Sequence, residues 1–133
     1  MFRLSVVMIL MILITTGCAS EIMRTPAHLS EANNNPHRSV IIFHEDMRIK
    51  LGSGYWREIK AGTKWLFVGT IKEGDVFKPY RNVFTIEGAH VREAYLVISN
   101  DQLIGFYIPG EDSYSSLKSS ISLPVFPEQK YDS

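Results

Sequence analysis

The chain contains a single cysteine, Cys18, so no internal disulfide can staple the fold. Charge of one sign is also missing, because 14 basic residues face 14 acidic ones. That balance, with the charges interspersed, removes the electrostatic case for a nucleic-acid partner or for adhesion to an anionic bilayer. No apolar run is long enough to span a membrane. The longest, Leu4–Ile14, is broken once by Ser5 and falls well short of the roughly 20 residues a spanning helix needs. The nucleophile elbow, the phosphate-cradling loop, the dinucleotide fingerprint and the helical zinc motif are all lacking.

What is present begins with an address. Arg3 supplies a positive start, Leu4–Ile14 an apolar stretch, and Thr15, Thr16, Gly17, Cys18, Ala19 and Ser20 a small-residue exit. These are the three parts of a cleaved secretory signal. Around Cys18 the sequence resembles the lipobox of bacterial lipoproteins. Thr16 and Gly17 occupy the two positions before the cysteine, while Thr15 stands where that family usually has leucine and Ile14 lies one place further out. The resemblance covers only the first 18 or so residues and implies that Cys18 is acylated and becomes the mature N-terminus. With Ala19 rather than aspartate after the cysteine, it also implies an outer-membrane destination. A multiply acylated cysteine holds where one chain alone would not, since each buried CH₂ contributes about 0.8 kcal/mol. Cleavage after Ala19 is the rival, because Gly17 and Ala19 form a small-x-small exit of their own. Lipidation accounts better for a lone cysteine in an exported chain.

The expected organisation is a signal over residues 1–17, a lipidated Cys18 and flexible tether over 18–38, a β domain over 39–126, and a tail over 127–133. Losing Arg3 with the signal leaves a formal charge of −1. Pro26, Asn33, Asn34, Asn35 and Pro36 mark the tether, where little apolar surface is available for burial. At full stretch it would reach about 70 Å and hold the domain clear of the head groups. A short helix near Leu29–Ala32 is the one element expected there.

From Ser39 the pattern turns to period two, rich in β-branched and aromatic residues. Met47–Leu51 alternates cleanly, Thr63–Ile71 is apolar on both faces, and Pro79 belongs at a strand end. Val91–Ser99 and Gln102–Ile108 form a hairpin through Asn100 and Asp101, which tolerate the positive φ of a tight turn. Asp112 or Ser113 is expected to cap a helical turn toward Lys118, and Ile121–Val125 to form a last edge strand. About eight short strands predict a mainly β fold, a small antiparallel barrel or sandwich.

Chemistry is thinly represented. His44, Glu45, Asp46, His90 and Glu93 are of metal-ligating and proton-moving types, but neighbours on a strand point to opposite faces, so neither a metal site nor a catalytic site is assigned. Ser113, Ser115, Ser116, Ser119 and Ser120 read as a polar loop. Tyr55, Trp56, Trp65, Tyr80, Tyr95, Tyr107 and Tyr114 could line a groove, though packing is their commoner use. The reading is a lipid-anchored binding or structural module without cofactors, with an envelope protein or a glycan as partner. An envelope enzyme using His44, Glu45 or His90 and a carrier with an interior pocket are the alternatives.

Overall fold

The computed structural model describes residues 21–32 and 39–127. The signal, Cys18 and residues 128–133 of the expected tail lie outside that range. Thirteen strands run in the order β1 (Thr25–Pro26), β2 (Ser30–Glu31), β3 (Val40–Phe43), β4 (Met47–Lys50), β5 (Trp56–Ile59), β6 (Lys64–Ile71), β7 (Gly74–Pro79), β8 (Thr85–Glu87), β9 (Val91–Glu93), β10 (Tyr95–Ser99), β11 (Gln102–Ile108), β12 (Ser113–Ser122) and β13 (Val125–Pro127).

Nine of them form one antiparallel sheet in the order β1-β12-β11-β10-β7-β6-β3-β13, with β2 also paired to β6. β4 pairs only with β5, and β8 only with β9. Chain connectivity makes the sheet curl. β12 lies beside one margin and β13 forms the other, yet only Leu123 and Pro124 separate them. That link spans about 10 Å at most, so the two margins must approach. Leu123 N–H donates to Asp101 O and His44 N–H to Pro124 O, which fastens the crossing. The expected barrel-or-sandwich class is therefore what the chain adopts, as a curled sheet joined by one bent strand.

Alternation along the strands sorts two cores. The inner face carries Phe43, Trp65, Phe77, Leu96, Leu103, Phe106 and Ile108, all buried. The β4–β5 hairpin adds Met47, Ile49 and Ile59, and the region of β8–β9 adds Phe84, Ile86 and Ala94. Side chains fill this interior, with Trp65 and Phe84 edge to face at 5.5 Å and Phe84 stacked on Phe106 at 6.0 Å. The outer face carries a smaller cluster of Ile71, Val76, Val97 and Tyr107.

Three sequence expectations change. Residues 21–32 do not behave as a loose tether: Thr25 pairs with Tyr114, Ser30 with Thr70, and Ile22 is buried in the main core. Ala27 and Leu29 cover the outer cluster, and that burial provides what the segment's composition alone did not suggest. The helix expected near Leu29–Ala32 is strand β2. The helical turn expected from Asp112 is the ten-residue strand β12, because its residues pair along β11 from Ser113↔Ile108 to Ser122↔Gln102. The expected hairpin at Asn100 and Asp101 does form, with φ of 51° and 60° there, although Val91–Glu93 leaves it to pair with β8.

Gly69 shows why β2 can lie where it does. It sits at a register shift in β6 with φ 153°, and a Cβ there would collide with the carbonyl oxygen of Ser30. Only glycine permits that approach of backbone to backbone.

Candidate functional site

The groups singled out as chemically capable do not assemble. His44, Glu45 and Asp46 form the exposed turn between β3 and β4. Asp46 has a structural task, accepting the Ala61 N–H at 2.8 Å and facing Lys60 at 3.8 Å. His90 is exposed in the β8–β9 turn, and Glu93 ends β9. Among the described residues no group of three or more His, Cys, Asp or Glu could hold a metal ion. The serines are strand residues of β12, with Ser113 and Ser115 buried.

The aromatic set divides. Trp65 is core, and its Nε1–H donates to Thr63 Oγ1 at 3.3 Å. Tyr95, Tyr107 and Tyr114 belong to the outer cluster. There Tyr107 donates its hydroxyl to Asp112, and burial together with that bond pushes its pKa up to about 12. Tyr55, Trp56 and Tyr80 are exposed. Trp56 stands on the outward face of the β4–β5 hairpin with the Arg48 guanidinium 4.8 Å and the Lys50 ammonium 5.9 Å from its ring centre.

A cleft of about 390 Å³ lies between β5, the start of β6 and the segment Pro79–Phe84. Its lining includes Ile59, Trp65, Tyr80, Val83 and Phe84 on the apolar side. The charged lining is Arg57, Lys60 and Lys64 against Glu58 alone. Lys60 leans on Glu58 at 3.1 Å, and that hydrogen bond raises its pKa.

Arg57 is the unusual member. Along β5 the residues alternate, and Ile59 faces the core; Arg57 shares that inward side. Its guanidinium lies 4.9 Å above the Phe84 ring, and its Nε is buried without a hydrogen-bond partner. It forms no ion pair among the described residues. A buried donor left unpaired is costly, by about 1–3 kcal/mol and more when charged, so an acceptor placed beside Arg57 Nε would relieve that cost.

Sequence reasoning passed over this site. No local signal finds it, because Trp56, Arg57, Glu58 and Ile59 put one apolar and one charged residue on each face of the strand. Comparison with protein family models, with curated proteins and with solved structures finds no match to this chain, so the cleft is read from its own chemistry alone.

Proposed function

We propose that this protein is a lipid-anchored envelope component, held through acylated Cys18 and lodged in the outer membrane, whose β domain is a binding module. The anchoring half rests on the signal pattern and on a sole cysteine placed at its exit. The binding half rests on one observation above the rest: a surface cleft, on a well-packed frame, that contains a buried and unpaired cationic donor. The interior is filled with side chains, so the recess that receives a ligand is this outer cleft rather than a barrel lumen. The partner is another envelope component, a protein or a glycan.

Intact-mass measurement of the protein recovered from the membrane fraction tests the first half. An N-terminal Cys18 carrying acyl mass is expected; a chain beginning at Ser20 with no acyl mass overturns it. The second half is tested by capture from solubilised envelope with the full chain against its Val83→Asp variant. Loss of a specific captured component is expected in the variant. Identical capture by both forms would remove the cleft from the account.

A further inference from the structure

The cleft runs along the open edge of a strand. Arg57, Glu58 and Ile59 are consecutive in β5, Lys60 follows directly after it, and all four border the cleft, although the side chains along the strand alternate between two faces. Only a recess on the strand's edge meets successive residues in this way. Among the described residues β5 pairs with β4 alone, so that edge has no partner strand there. The register says which groups face it. Leu51 N–H donates to Tyr55 O, and Ile49 pairs with Arg57 two steps along. The intervening pairs, Lys50 with Trp56 and Arg48 with Glu58, are therefore of the non-hydrogen-bonded kind. The N–H and C=O of Trp56 and Glu58 point away from β4, toward the edge.

The same geometry weighs against a glycan. Sugar recognition by stacking needs an open aromatic face. Here Trp65 is 2% exposed, the Phe84 ring is covered by Arg57, and the Tyr80 ring has the Arg81 guanidinium 5.0 Å from its centre. The unspent interactions are a row of backbone groups, an apolar wall and a cation. We infer that β5 accepts an extended acidic peptide segment as an added strand, with a carboxylate on Arg57 and neighbouring apolar side chains against Val83. Main-chain pairing supplies affinity in this mode of recognition, and side chains on alternate positions supply specificity. The carboxylate supplies the acceptor that Arg57 Nε lacks.

This inference rests on the binding-module reading and is independent of acylation. The probe is a short capped peptide in which threonine alternates with valine, glutamate and valine, so that the same face is presented in either direction. Added to the full chain in detergent micelles, it should slow hydrogen exchange at the amides of Trp56 and Glu58. Replacing its glutamate by lysine should abolish that protection, and methylating its pairing amide nitrogens should do the same without altering the protein. Arg57→Gln should weaken binding about tenfold, the loss of one charge-assisted hydrogen bond. Equal binding of the lysine or the N-methylated peptide overturns the inference, as does binding that leaves both amides unprotected. If an oligosaccharide shifts cleft resonances and the peptide does not, the acidic strand is excluded while the binding module stands. If neither occupies the cleft and Val83→Asp captures the same components as the natural chain, both fail together.

Discussion

At the scale of single residues, the energetics divide between apolar packing and a few placed polar groups. Phe106 is almost fully buried and stacked on Phe84, so Phe106→Ala should cost about 3–5 kcal/mol in denaturant unfolding. Tyr107 gives a pH signature. Burial, then the bond to Asp112, holds the phenol neutral, raising its pKa from 10.0 to about 12. Its contribution to stability is therefore complete below pH 10 and disappears as the pH climbs through about 12. Burial raises Tyr95 and Tyr114 as well, so tyrosinate absorbance should show Tyr107 as the last step of a late-titrating set, and Tyr107→Phe should remove that last step. At this scale part of the core was legible: alternation put Met47, Ile49 and Leu51 on one face, and all three are buried. Arg57 was not, because nothing local shows that its inward position opens onto a cleft rather than a packed wall.

At the scale of elements, the N-terminal segment is held by three separate means. Ile22 enters the main core, β1 and β2 pair with the sheet, and an ion network closes over the start. In that network Arg92 reaches Glu21 at 2.9 Å and Glu111 at 3.0 Å, and Arg24 joins Glu111 at 3.2 Å. Desolvation opposes ionisation of Glu21, but the Ile22 N–H, Arg92 and Arg24 together hold its carboxyl below the ordinary 4.5. Whatever the network adds is thus present above that value and fades as the pH falls through the depressed pKa. Arg92→Ala should raise protease sensitivity within residues 21–27 at neutral pH, and acid or high salt should do the same to the natural chain. An unchanged cleavage rate would show that the network holds nothing.

Gly69→Ala attacks the same segment from the other side. It should cost on the order of 1–3 kcal/mol and release β2, read as faster exchange at the Ala32 amide, which donates to Val68 O. The strand signatures of β6, β7, β10 and β11 could be read locally, since each is rich in β-branched and aromatic residues of its own. β2 and the first half of β12 could not. Their polar sequences, Ser30-Glu31 and Ser113-Tyr114-Ser115-Ser116, are strands only because a neighbouring edge supplies the hydrogen bonds.

At the scale of the whole molecule, the ordered segment changes the picture of the anchor. Glu21 already belongs to the described domain. If Cys18 carries the lipid, only Ala19 and Ser20 separate it from Glu21, a reach of about 10 Å in place of the long stand-off the composition suggested. A spin label at Met23, which is 86% exposed, should then relax strongly against labelled lipid head groups. A label at Asp46, on the far-removed β3–β4 turn in sequence, provides the comparison, and equal relaxation at neither site would restore a long tether.

The amino-acid sequence by itself determined that no internal disulfide can form and that strands dominate, and it carries the signal pattern from which an address is proposed. Each of these depends on composition or on periods of a few residues. Only the tertiary structure decided that Leu123 and Pro124 join the two margins of a curled sheet, that residues 21–32 pair with its strands and send Ile22 into the main core, and that β5 keeps one edge open beside a cleft among the described residues. Those outcomes depend on which distant segments compete for the same backbone hydrogen bonds and the same buried surface, and no local pattern records who wins.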